Sequence, residues 1–193
     1  MPRKTKKKSS NKRKRRRDKI DIEQILLQKR QLFVFGEINE KLAYHITRQL
    51  VALAQISDEP IAMYINSPGG GVDDGFAIID CMKGLAPMII TLVVGSACSM
   101  AGLISIAGDK RMMTTNSIWM AHDLRAGIID YASKIEDRAE YYKKEQAKLF
   151  KFLRDHTKLS EKEIQKAIHG ELWVYPEECL KKGIIDEIAG AGR

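Results

Sequence analysis

Ser99 stands in Gly95-Ser96-Ala97-Cys98-Ser99-Met100-Ala101, between an apolar run that ends at Val94 and an apolar stretch that continues to Ile106. A serine at such a junction is a candidate nucleophile. Small residues permit a tight turn that exposes the hydroxyl, and the free N–H groups opening the next helix can stabilise an oxyanion beside it. Serine also fills a plain helix N-cap, so the pattern alone allows both uses. His122 closes another apolar segment, where an imidazole can accept the hydroxyl proton as general base or serve as an ordinary structural residue. The glycine turn Asn66-Ser67-Pro68-Gly69-Gly70-Gly71 follows a neighbouring apolar run. Its backbone N–H groups can approach a substrate carbonyl closely because glycine carries no Cβ. Nucleophile, base and oxyanion donors together describe acyl transfer.

These residues need strand ends to hold them. Gln31–Phe35, Ile61–Ile65, Met88–Val94, Arg111–Thr115 and Ile118–Ala121 read as strands. Between them, helices are predicted over Ile20–Gln28, Lys41–Gln55, the stretch from Val72 to about Leu85, and Met100–Ile106. Apolar strands alternating with helices make βαβ crossovers, so the fold class is α/β, with a parallel sheet expected to be covered on both faces. Asp130–Asp155 is long enough for about seven helical turns and either projects from the domain or lies on its surface with salt bridges such as Glu145 with nearby lysines. Ser160 with Glu163 three residues on fits a capping box, and Gly170 marks the end of that helix.

Charge is concentrated at one end. The first 17 residues hold 11 Lys or Arg and no acid, so the net +8 of the 193-residue chain leaves about −3 for the remainder. Such a block cannot bury enough apolar surface to offset its ordering entropy. Residues 1–18 are therefore expected to form a disordered basic arm, and residues 19–193 one domain, for which a 44% hydrophobic composition suffices. Cys81, Cys98 and Cys179 are an odd count without metal-ligand spacing, and no apolar signal region follows the basic start. Both point to the cytoplasm. The run Met88–Val94 is too short to span a bilayer. His45, His122, His156 and His169 are not spaced as ligands, so neither metal nor cofactor is expected. Cys98 reads as a small buried filler beside Ser99.

Tyr64-Ile65-Asn66-Ser67-Pro68-Gly69-Gly70, then the run Gly95 to Ala101, then Met120-Ala121-His122, follow one another in the order and spacing of a known family. From about Gln31 to Ile188, through Pro176-Glu177-Glu178 and Lys182-Gly183-Ile184-Ile185-Asp186, the chain resembles the proteolytic subunit of the Clp proteases. The resemblance implies a ClpP/crotonase-like fold of repeated ββα and βαβ units with a protruding handle helix at Asp130–Asp155. It further implies Ser99 as nucleophile, His122 as base and the N–H groups of Gly70 and Met100 as the oxyanion hole. Gly71, Val72 and Leu124 fall on the substrate cleft. Where the family has its third catalytic residue, an aspartate, this chain has none. Anchoring on Trp173, or on the distance from His122, places Glu171 there; anchoring on Pro176-Glu177 places Gly170. Glu171 is taken as the third member, since glutamate can orient a histidine as aspartate does. Asp123 and Leu124 replace a usual glutamine and proline, and Ala101 a usual glycine, which alters the cleft wall.

The resemblance also implies a serine endopeptidase that degrades unfolded polypeptides inside a chamber of two stacked heptameric rings, a homo-oligomer fed by an AAA+ ATP-dependent unfoldase ring. The basic residues 1–17 allow a second contact, salt-sensitive binding to nucleic acid or an anionic surface. Two other functions compete: a catalytically impaired structural subunit of a mixed ring, motivated by the altered aspartate position, and a crotonase-like acyl-CoA enzyme, against which the serine–histidine pair argues.

Overall fold

Chain alternation between β-branched runs and amphipathic stretches produces a seven-stranded, mostly parallel sheet. The computed structural model describes residues 20–190; the arm read from residues 1–18 lies outside them. Along the chain come α1 (Ile22–Gln28), β1 (Gln31–Phe35), α2 (Glu40–Ile56), β2 (Ile61–Ser67), α3 (Val72–Lys83), β3 (Ile89–Cys98), α4 (Met100–Ile106), β4 (Lys110–Thr114) and β5 (Ile118–His122). A 3₁₀ turn, Ala132–Lys134, then leads into α5 (Ile135–His156), α6 (Glu161–Ile168), β6 (Glu171–Val174), α7 (Pro176–Lys181) and β7 (Glu187–Ala189). The main path runs β1-β2-β3-β4-β7, all parallel.

The sheet is forked, and the fork makes the site. β3 is ten residues long: Ile90–Val93 pair with Lys110–Met113 of β4, and Ser96–Cys98 pair with Ile118–Met120 of β5. β6 then adds antiparallel to β5. The sequence reading ends this strand at Val94, because Gly95 looks like a turn. Instead the strand continues through Gly95, at φ +99°, where the ladder with β2 shifts register. A Cβ at Gly95 would lie 2.8 Å from Asn66 Oδ1, the oxygen that accepts both the N–H (3.1 Å) and the hydroxyl (3.2 Å) of Ser96. One side chain thus pins the irregularity that redirects β3 from β4 to β5.

One face of the sheet is sealed by Leu32, Val34, Ile61, Met63, Ile65, Ile89 and Val93 against Ile46 and Leu50 of α2 and the rest of the core. The opposite face is not covered as expected. Phe33, Tyr64, Ile90 and Leu92 are only partly buried, with the Phe33 and Tyr64 rings stacked at 5.0 Å. Apolar residues on both sides of a strand raised the expectation of two covered faces, yet the described residues leave this one only partly buried.

α5 begins after Lys134, later than the predicted start at Asp130, and buries only Phe150 and Leu153; its first half is largely exposed. The capping box at Ser160 and Glu163 is formed. No helix among the described residues is long and apolar enough to cross a membrane.

Candidate active site

Ser99 occupies the single residue between β3 and α4, with φ +56° and ψ −125°. Only glycine adopts positive φ without strain, so the surrounding fold must hold this conformation. Two hydrogen bonds do: the Ser99 N–H donates to Met120 O of β5 (2.8 Å), and the Ser99 carbonyl accepts from Leu103 N–H (3.3 Å). The hydroxyl does not cap α4, so the plain N-cap reading fails. It lines a cleft of about 900 Å³.

That cleft brings together nearly every residue singled out from sequence. Gly70, Gly71, Val72, Ser99, Met100, His122 and Leu124 all line it. Met100 opens α4, so its N–H has no partner within the helix. Across the cleft, Ile38 N–H donates to Gly69 O (2.8 Å) and Gly71 N–H donates to Ile38 O (2.7 Å), which leaves the Gly70 N–H outside the ladder. A Cβ on Gly70, at φ +151°, would come 2.1 Å from Ile38 O, so this close approach requires glycine.

His122 ends β5 and borders both this cleft and an adjoining one of about 360 Å³ that also holds His169, Gly170 and Glu171. In the β5–β6 ladder His122 lies directly opposite Glu171, and Gly170 precedes the strand. The carboxylate of Glu171 nevertheless faces elsewhere: it accepts the Trp173 Nε1–H at 2.9 Å and stands 3.9 Å from Arg125 Nη2. No hydrogen bond joins Ser99, His122 and Glu171 side chains among the described residues, so the three positions are adjacent without a formed relay. Cys98 is buried, and burial first, then the Glu171 charge, raises its thiol above the ordinary range against a lowering hydrogen bond from Ser96. The thiol is therefore a poor nucleophile.

Three residues named from the sequence have contacts that it did not reveal. Asn66 lies inside the glycine motif but its pinning of the β3 bulge depends on a contact 30 residues away. Asp123 accepts a hydrogen bond from Gln146 of α5 and so ties the segment after His122 to that helix. Glu145, read as pairing with nearby lysines on a surface helix, does stand 3.9 Å from Lys148 Nζ, but it also lines the cleft; its four-residue spacing to Leu149 on α5 was the available signal.

Comparison with known proteins is consistent along nearly the whole chain. The family model described as Clp protease matches residues 13–191. The chain is 33% identical over 181 residues to "ATP-dependent Clp protease proteolytic subunit 2" of Treponema denticola, covering 90% of each. It is 33% identical over 164 residues to the protein of the same name from Pseudomonas aeruginosa, covering 84% of this chain and 82% of the relative. Against "ATP-dependent Clp protease proteolytic subunit 3" of Rhizobium etli the identity is 33% over 170 residues, 87% and 88% of the two chains.

Proposed function

Since the chain belongs to the Clp protease family, we propose that it is a serine endopeptidase subunit in which Ser99 is the nucleophile and His122 its base. The observation that carries this reading is the strained backbone of Ser99, which presents a hydroxyl into a cleft shared with His122 and with the N–H groups of Gly70 and Met100. Strain of this kind is stored where it serves function.

The reaction follows from these positions. A peptide carbonyl carbon is attacked by Ser99 Oγ while His122 takes the hydroxyl proton. The carbonyl oxygen becomes an oxyanion held by the Gly70 and Met100 N–H groups. Collapse breaks the peptide C–N bond, and His122 returns the proton to the departing amine, leaving an acyl ester on Ser99. Water then attacks that ester, giving its proton to His122, which passes it back to Ser99 Oγ as the carboxylic product leaves. Glu171 completes the set by rotating from Trp173 and Arg125 toward His122, its partner across the ladder; catalytic hydrogen bonds often tighten only with substrate bound.

The chain works in this reading in the cytoplasm as a homo-oligomer of two stacked heptameric rings, supplied with unfolded polypeptides by an AAA+ ATP-dependent unfoldase. The partly buried apolar face around Phe33, Tyr64, Ile90 and Leu92 and the largely exposed first half of α5 supply surface for such assembly. Residues 1–17 add an electrostatic contact with nucleic acid or an anionic surface, which deletion of those residues should abolish.

A second reading has one observation in its favour: the Glu171 carboxylate is engaged by Trp173 and Arg125 instead of His122, as in a structural subunit of a mixed ring. Covalent labelling by a fluorophosphonate, read by intact mass, separates the two. The peptidase reading requires labelling of the assembled wild-type chain that disappears in Ser99→Ala. A wild-type chain that stays unlabelled where a known serine peptidase reacts leaves the structural subunit.

A further inference from the structure

Glu145 lies on the cleft side of α5, in the company of Tyr142, Leu149, Phe150 and Leu153. Its side chain is 17% exposed, and Oε2 is shielded from solvent with no hydrogen-bond partner among the described residues. Its ion-pair neighbour Lys148 places Nζ 3.9 Å away, outside hydrogen-bond range. That ammonium sits 4.0 Å from the centroid of the Phe76 ring. The two guanidinium groups bordering the cleft are turned to other acids, Arg138 to Asp130 at 3.0 Å and Arg125 to Glu171 at 3.9 Å. A carboxylate oxygen shielded from water without a hydrogen-bond donor is costly, and an ammonium at 3.9 Å offsets that only in part; on a helix face shared with Leu149 and Leu153 an aliphatic residue would avoid the cost.

The arrangement suits one kind of visitor. Met100, Leu103 and Leu149 give the cleft an apolar wall along which a run of methylenes can lie, and the carboxylate waits as an acceptor at its margin. Lysine and arginine combine such a stem with a cationic donor head. Resting on the peptidase reading, we propose that Glu145 is a specificity-determining residue that selects lysine or arginine as the substrate residue contributing the scissile carbonyl. With that carbonyl seated between Ser99 and the two oxyanion N–H groups, its side chain enters the same cleft. The Tyr141 phenol is pushed up by the charge of Asp73 first and of Glu145 second, in keeping with an acidic field on this side of the cleft that would also disfavour acidic substrate residues.

The test uses peptidyl diphenyl phosphonates of one sequence, differing only at the residue next to phosphorus: arginine, its uncharged isostere citrulline, leucine or glutamate. Labelling rates are read on the assembled full-length chain. Arginine should label about ten- to a hundredfold faster than citrulline, the range of a charge-assisted hydrogen bond, and glutamate slowest. In Glu145→Gln the arginine-to-citrulline ratio should fall to near unity, whereas Glu145→Asp should retain part of it. Ratios are independent of the fraction of protein that folds, and if neither variant assembles, the wild-type ratio decides. Equal wild-type rates for arginine and citrulline, or an unchanged ratio in Glu145→Gln, overturn the proposal. A simple fluorophosphonate, which has no substrate side chain, is run beside them. Its labelling without arginine preference removes the specificity alone, and its failure to label removes the peptidase reading as well.

Discussion

The strained conformation of Ser99 gives its substitution a definite signature. Ser99→Ala removes the hydroxyl, and fluorophosphonate labelling should vanish while the φ +56° turn, held by Met120 O and Leu103 N–H, keeps the fold. Gly70 makes a sharper case, because its Cβ would meet Ile38 O at 2.1 Å. Gly70→Ala must displace the N–H it offers to an oxyanion, and labelling should slow by about a hundred- to a thousandfold, the usual cost of losing one such donor. Glu171 is tested through its competitor. Trp173→Phe deletes the indole N–H that holds the carboxylate; a hydrogen bond to a carboxylate this exposed to solvent is worth about 1 kcal/mol. If that bond restrains Glu171 from His122, labelling should accelerate about fivefold; an unchanged rate in Trp173→Phe together with an unchanged rate in Glu171→Ala would mean that Glu171 has no part in activation. At this scale the sequence was informative about residues bound to local geometry. Ser99, Gly70 and Met100 sit at turns whose residue types announce themselves. It said little about Glu145 and Trp173, whose roles depend on which way a side chain turns among neighbours far along the chain.

Helices and strands were legible where periodicity or capping chemistry is local. Ser160 accepts the Glu163 N–H while Glu163 accepts the Ser160 N–H at 2.9 Å, the reciprocal pair anticipated from spacing. Ser160→Ala should cost about 1 kcal/mol, a fall in Tm of about 3 °C in thermal unfolding for a chain of this size. Glu163 adds a pH dependence. The Lys182 ammonium first, and Ser160 second, hold its carboxyl down to about 2 from an ordinary 4.5. A depressed carboxylate stabilises the folded state above its unfolded value and loses that contribution as pH falls through the folded one. Urea unfolding of wild type and Glu163→Gln should therefore differ by about 1 kcal/mol near neutrality, after allowance for solvent screening, with the gap closing between about pH 4.5 and pH 2. The fork of β3 was illegible for the opposite reason. Gly95 has the composition of a turn, and only the Asn66 side chain, reaching from β2, makes it a bulge inside a continuous strand. Asn66→Ala should accordingly loosen the β3–β5 pairing and lower the labelling rate more than it lowers stability.

Across the whole molecule, the open question raised by the fold is what covers the second face of the sheet. Arg111 closes the protomer on itself. Its guanidinium, on a side chain 18% exposed, donates to Asp186, to His156 O and to Gly183 O, both carbonyls at 2.8 Å, and so fastens β4 to the end of α5 and to the segment before β7. This closure leaves Phe33, Tyr64, Ile90 and Leu92 only partly buried on neighbouring parallel strands. From sequence these residues are indistinguishable from core, because burial within one chain and burial between chains select the same apolar side chains. The protomer's own core does not require them: Leu32, Met63, Ile89 and Val93 seal the other face. A charge at Leu92 should therefore separate folding from assembly. Leu92→Lys should keep the secondary structure at a cost of about 1–2 kcal/mol, since Leu92 is already partly buried in the protomer and the lysine stem can keep some of that apolar contact while its head reaches water. The same change places an ammonium in any interface built on this face, where it has no partner, and should shift the proposed double ring toward free protomers of 21.9 kDa in sedimentation velocity. A wild-type chain that sediments as a monomer, or a Leu92→Lys chain that assembles as well as wild type, would mean that the apolar face is not the surface on which copies meet.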